Sequence, residues 1–134
     1  MKNRSELREI MMKVLYQIFI LEESSIDFDV NALKKEQLEI ENEFVDEVID
    51  GILKHRKEIY ELANKYLNNW PMDRLNKVDQ AILCIGIYEL EYTKTPSIVA
   101  INEAIELSKK YSDEKVTKMI NAVLDEIYHQ KDEN

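Results

Sequence analysis

Apolar residues return along this chain at three- and four-residue intervals, the spacing that gathers them on one face of a helix. Leu7, Ile10, Met11, Val14, Leu15, Ile18 and Phe19 form the first such stripe. Asn3 and Glu6 are spaced for a capping box ahead of it, and Ser5 is an equally good cap. Past Leu21 the run Glu22-Glu23-Ser24-Ser25 breaks the pattern. A short helix is expected at about Phe28 to Glu36, then an acidic connection from Glu39 to Glu43. Phe44, Val45, Val48, Ile49, Ile52 and Leu53 mark a third helix, and Ile59, Leu62, Ala63, Tyr66 and Leu67 a fourth. Trp70-Pro71 is the best internal boundary, since proline disfavours helix at the residue before it and suits the first turn of a new element.

Beyond that boundary Leu75, Val78, Ala81, Ile82, Leu83, Ile85, Ile87 and Leu90 leave little polar face, which predicts a central helix packed on several sides. Thr93 to Pro96 makes the next break, and Val99 to Tyr111 the next helix. Val116, Met119, Ile120, Val123, Leu124, Ile127 and Tyr128 form a heptad-like stripe on the last one. The polar tail from Gln130 is expected to fray. Tyr88 and Tyr128 are expected at the edges of the core.

Composition sharpens this into an all-α reading. The 134 residues fit one domain, with 34% charged and 45% hydrophobic residues but only two Gly and two Pro. Cys84 is the only cysteine, so no intramolecular disulfide forms, and a reducing cytoplasm is the natural compartment. Within the apolar run Ala81 to Leu90 it reads as a buried, inert thiol. Charges interrupt the N-terminus too often for a signal peptide, and no stretch approaches a membrane span.

The net charge of −9 is local. Residues 22 to 50 hold eleven Asp or Glu against two Lys, and the remaining acids and bases cancel. Residues 1 to 16 carry a small positive surplus from Lys2, Arg4, Arg8 and Lys13, and residues 108 to 118 add Lys109, Lys110, Lys115 and Lys118. Two weakly basic areas therefore remain for an acidic ligand.

Catalytic chemistry finds little support. Glu126 and His129 make a single Glu-x-x-His, whereas a di-iron bundle needs two plus two further carboxylates, so a solvated helix end explains them better. Glu103 and Glu106 share a helix face, an ordinary spacing for exposed acids. No phosphate-binding glycine loop, zinc spacing or Ser/His/Asp set is present, and no cofactor, metal or enzymatic activity is expected. On the first helix Arg4 and Arg8 share a face and Tyr16 lies two turns beyond Arg8. Cations for phosphates and a flat ring for a base are what single-stranded RNA needs, although a solvated amphipathic face accounts for the same residues.

A wider set of residues tips that balance. Arg8-Glu9, the run Val14-Leu15-Tyr16, Val78-Asp79, Tyr88-Glu89-Leu90, Pro96, Ile101-Asn102-Glu103-Ala104 and Asn121-Ala122-Val123-Leu124-Asp125 occur in an order and spacing that resemble the NusB family of transcription antitermination factors. The resemblance covers both ends of the chain and leaves the acidic residues 22 to 50 unmatched. It implies about seven helices in two small bundles packed across each other, with an N-terminal helical subdomain at about 1–69 and a C-terminal one at about 70–134. It further implies a non-enzymatic adaptor that pairs with NusE, a small-subunit ribosomal protein, on boxA-type single-stranded RNA of nascent ribosomal transcripts, reaching the polymerase only indirectly. Carried over by position, Arg4, Arg8, Tyr16, Lys118 and Met119 would belong to the RNA face, and Asp73 and Asp79 would face the basic partner.

The chain departs from the family pattern at Ser5 and Glu6, where the arginine cluster usually continues, at Gln80 and Cys84, where basic residues are common, and at Met119, where a ring often stands. Few cations then face the strand, and a shallow salt dependence is expected, about 0.7 of a log unit per phosphate neutralised. Asn102 and Asn121 are expected to satisfy backbone or helix-end groups rather than touch RNA. Two other readings stand beside this one. One is a protein-binding adaptor of the same fold that has lost RNA recognition and uses the acidic segment. The other is an accessory piece related to the helical domains that precede certain ribosomal RNA cytosine methyltransferases, which the short chain argues against.

Overall fold

The computed structural model describes residues 2–132, and all regular structure in that range is helical. Seven helices occur in order: α1 (Arg4–Glu23), α2 (Val30–Gln37), α3 (Glu43–Lys54), α4 (Arg56–Tyr66), α5 (Lys77–Tyr92), α6 (Ser97–Tyr111) and α7 (Glu114–Asp132), with a 3₁₀ turn at Met72–Arg74. Asn3 supplies the first cap: its side chain accepts from the Glu6 amide at 2.9 Å while Glu6 reaches back to the Asn3 amide at 3.2 Å. Ser5 is thereby released, and its hydroxyl donates to Glu103 at 2.5 Å. The second helix starts at Val30, not Phe28, because Asp29 accepts from the Asn31 amide at 2.9 Å and caps it there.

α5 is the hub. It packs on α1, α3, α4, α6 and α7, so every residue from Asp79 to Leu90 is buried. Each fully enclosed Leu or Ile there contributes about 1.5–3 kcal/mol, which explains why the helix has almost no polar face to spare. The polar residues it does carry are partnered. Gln80 donates to the Leu75 carbonyl and accepts from the Tyr60 hydroxyl, both at 2.7 Å. Gly86 marks a close crossing: a Cβ there would sit 2.9 Å from Leu124 Cδ1 and 3.4 Å from Ala104 Cβ, so α6 and α7 approach α5 as closely as they do only over a glycine.

One apolar core includes Leu15, Ile49 and Ile59 from before the Trp70-Pro71 break together with Ile82 and Ile120 from after it. Cys84 lies inside it, and burial pushes its thiol up to about 12, which keeps it protonated and unreactive. The C-terminal expectation needs correction. α7 continues through Gln130 to Asp132, and the Lys131 ammonium donates to the Leu90 carbonyl, tying the last turn of α7 to the end of α5; residues 133 and 134 of the expected frayed tail lie outside the described residues. Tyr88 is buried as expected, while Tyr128 is more exposed than a core-edge residue. Asn102 and Asn121 are also corrected: both are exposed, and neither side chain makes a hydrogen bond among the described residues.

Candidate nucleic-acid interface

The expected RNA track along α1 is broken by the fold. Arg8 is only 2% exposed. Its Nε and Nη2 donate to the two Glu89 oxygens, each at 2.7 Å, and Nη1 donates to Glu103 at 3.1 Å. The Thr95 hydroxyl donates to Glu89 at 3.0 Å, so this buried carboxylate is fully engaged. Burial works against the guanidinium charge, and Glu89 and Glu103 outweigh it, holding the Arg8 pKa above its ordinary value. Arg8 therefore clamps α1 to α5 and α6 and offers no free cation to a phosphate.

Arg4 is exposed but faces elsewhere. Its guanidinium lies 4.0 Å over the Phe44 ring, in a shallow groove that also holds Glu41, Glu43 and Glu47. Twelve residues along a helix with 3.6 residues per turn, Tyr16 is rotated by about 120° from Arg4. Tyr16, 40% exposed, instead shares its side of α1 with Glu9 and Lys13. Glu9 accepts from Lys110 at 3.0 and 2.9 Å and from the Tyr111 hydroxyl, with Lys13 at 3.8 Å. The Tyr111 and Lys110 hydrogen bonds hold the Glu9 carboxyl below its usual range. Tyr16 thus flanks a cluster in which two lysines share one carboxylate.

The second half of the site is a groove of about 580 Å³ between the α4–α5 connection and α7. Sequence explains its shape. Pro71 starts the 3₁₀ turn, Asn64 accepts from the Met72 amide at 2.6 Å, and Met72 is fully buried, so its flanking residues Trp70 and Arg74 are turned outward. Across the groove Asp113 caps α7 by accepting from the Val116 amide at 2.9 Å. That register sets Val116, Met119 and Val123 into the wall, with Lys115 and Lys118 beside them at the rim. Trp70 is 58% exposed over this floor. Arg74 and Lys115 have no ion-pair partner among the described residues, and Lys118 is held only by exposed Glu114 at 3.4 Å.

The groove brings Lys118 and Met119 together with Asp79, which the sequence assigned to different partners. Asp79 is 3% exposed at the groove wall and is not the open acidic contact expected of it. Burial raises its pKa, opposed by a hydrogen bond with Ser112 and assisted by nearby Asp113. Asp73 is exposed in the 3₁₀ turn but belongs to another depression, lined by Glu22, Glu23, Arg56 and Lys77. Sequence reasoning missed Trp70, Arg74 and Lys115 as site residues. The available signal was a lone tryptophan in a helix break with an arginine four residues on, a pattern that packing alone does not require. No group of three or more His, Cys, Asp or Glu side chains able to hold a metal occurs among the described residues. The ensemble is an apolar, ring-bearing slot with cations at its rim, suited to a flat or apolar group attached to a negative backbone.

The family model described as the NusB family matches residues 5–129. The transcription antitermination protein NusB of Listeria innocua is 38% identical over 122 residues, covering 90% of this chain and 92% of that protein. Its counterpart from Macrococcus caseolyticus is 36% identical over 131 residues, covering 96% and 98%. Among solved structures, T. maritima NusB superposes with a TM-score of 0.81 at 32% identity, over 96% of this chain and 92% of that one. A crystal structure of the antitermination factors NusB and NusE in complex with double-stranded RNA matches with a TM-score of 0.78 at 29% identity, over 95% and 96%.

Proposed function

The chain belongs to the NusB family, and from that premise we propose that it is a transcription antitermination factor: a cytoplasmic, non-enzymatic adaptor that pairs with NusE on boxA-type single-stranded RNA. The observation that carries the site assignment is the α4–α5/α7 groove, where Trp70 and Met119 lie beside Arg74, Lys115 and Lys118. Lys118, Met119 and Tyr16 take the bases and phosphates of the strand, helped by Lys115. Arg8 acts as a positioning residue that fixes α1, and Arg4 plays a minor part because Glu41, Glu43 and Glu47 surround it. For the protein partner, exposed Asp73 supplies a charge contact, and Asp79 shapes the groove wall rather than meeting the partner as a free acid.

The test separates the two ligands. Tyr16→Ala combined with Lys115→Ala and Lys118→Ala should weaken binding of a labelled boxA-like RNA to the protein–NusE pair by tenfold or more, since one lost base stack is worth roughly 1–3 kcal/mol. NusE association, measured by calorimetry, should change little. Equal loss of both interactions, or of neither, would overturn the assignment. A second reading is favoured by one observation, the internal use of Arg8: an adaptor of the same fold that binds only protein. Under that reading wild-type protein binds NusE and gives no RNA signal in the same assay.

A further inference from the structure

We propose that the groove between α4 and α5, with the ring stack beside it, docks an arginine-rich segment of a partner protein. The feature lies apart from the groove described above and does not rest on the RNA reading. Its floor is apolar: Ile59 and Leu62 of α4 and Ile87 and Tyr92 of α5 line a depression of about 320 Å³. Glu58, Glu61 and Glu91 stand at its edge, together with Lys65, which lies against the Tyr66 ring at 5.4 Å. Of these lining residues Tyr92, 39% exposed, also stacks on His55 at 4.3 Å and on Tyr88 at 5.2 Å. The stack is built into the backbone, because Tyr88 crosses α3 where a Cβ on Gly51 would lie 2.2 Å from its hydroxyl oxygen.

The charge around this surface decides what can sit on it. Several interhelical carboxylates elsewhere have cations: Glu22 has Arg56, Glu23 has Lys77, Glu89 has Arg8, and Asp46 and Asp50 share Lys34. Glu47, Glu58, Glu61 and Glu91 have none among the described residues. Burial, with Glu58 and Glu91 next in effect, holds the Tyr92 phenol above its ordinary pKa, and burial with Glu47 does the same for Tyr88, so both hydroxyls stay protonated beside these acids. A nucleic-acid backbone is repelled here. An arginine fits in both parts, its methylene stem along the accessible Leu62 and Tyr92 side chains and its planar head forked onto a carboxylate. Lysine supplies the stem but only a point charge, which is why arginine is the stated occupant.

The probe is a fluorescein-labelled peptide of alternating arginine and glycine, titrated by anisotropy into the full chain at low and physiological salt, with amide NMR shifts locating the contact. Binding should centre on α4 and α5. Glu58→Gln/Glu61→Gln/Glu91→Gln should weaken it at least tenfold, and Tyr92→Ala by threefold or more. Asp27→Asn/Glu39→Gln/Glu126→Gln, which removes the same charge from exposed positions elsewhere, should change it less than twofold. Equal loss in the two triple variants would reduce the effect to bulk attraction by an acidic chain and overturn the proposal, as would shifts centred on another surface or no binding at low salt. Far-UV circular dichroism checks that each variant is folded, and these exposed or half-buried substitutions are expected to leave it so.

Discussion

Replacing Arg8 tests whether it is a clamp or an RNA contact. Arg8→Met removes the guanidinium while keeping most of the volume, and leaves Glu89 buried with the Thr95 hydroxyl as its remaining side-chain donor. Breaking a buried pair from one side costs about 3–5 kcal/mol, because a charge stays behind without compensation. Glu103 is less affected, being part-exposed and still hydrogen-bonded to Ser5 at 2.5 Å. A loss of that size is a large share of a typical domain's 5–15 kcal/mol and, for a chain of this length, lowers the melting temperature by roughly 4 °C per kcal/mol. The double variant Arg8→Met/Glu89→Leu removes both charges and should recover most of the deficit, since apolar replacement of a buried pair is often neutral or better. Urea unfolding monitored by circular dichroism gives the two differences, and RNA anisotropy at a temperature where all forms are folded gives the third. If Arg8→Met cost less than about 1 kcal/mol and yet abolished RNA binding, the clamp reasoning would be refuted and Arg8 would be a direct contact.

Three further outcomes rest on the same geometry. Asp79 has a raised pKa in the fold, so its ionisation opposes folding at neutral pH; the stability contributed by its protonated form is fully present below the unfolded value of about 3.8 and is lost as pH rises through the folded one. Asp79→Asn should therefore be more stable than wild type in urea at pH 7, with the advantage shrinking as pH is lowered towards 4. Trp70→Ala should leave the unfolding free energy within about 0.5 kcal/mol of wild type because the ring is exposed, while the melting curve and a NusE–RNA titration together show the loss falling on binding. Gly86→Val should cost about 1–3 kcal/mol in urea unfolding by forcing Leu124 and Ala104 away from α5.

Much of the fold was legible because helix periodicity is a local signal. The stripes from Leu7 to Phe19, from Leu75 to Leu90 and from Val116 to Tyr128 correspond to α1, α5 and α7. The end of α7 was not, since the contact that holds it is between Lys131 and Leu90, distant in sequence. The same reason hid the role of Arg8. Spacing correctly put Arg4 and Arg8 on neighbouring positions of one helix, but only the packing of α5 and α6 reveals which of two similar arginines meets Glu89 and Glu103 and is buried. Asp79 was misjudged in the same way, because an acid in the first turn of a helix is usually solvated, and here the α7 connection covers it. Trp70 could have been weighed as a site residue from its isolation next to Pro71. Arg74, four residues on, shared that signal, but Lys115 did not, because its place beside them depends on α7 meeting the α4–α5 connection across the groove.

The measurement that bears most directly on the adaptor assignment is the affinity of a labelled boxA-like single strand, with and without NusE, at two salt concentrations. An adaptor with this groove should bind the strand weakly alone and clearly tighter with NusE. Its salt slope should be shallow, about 0.7 per phosphate contacted, and reduced by one such step in Lys115→Ala. NusE binding with no gain in RNA affinity would contradict the assignment.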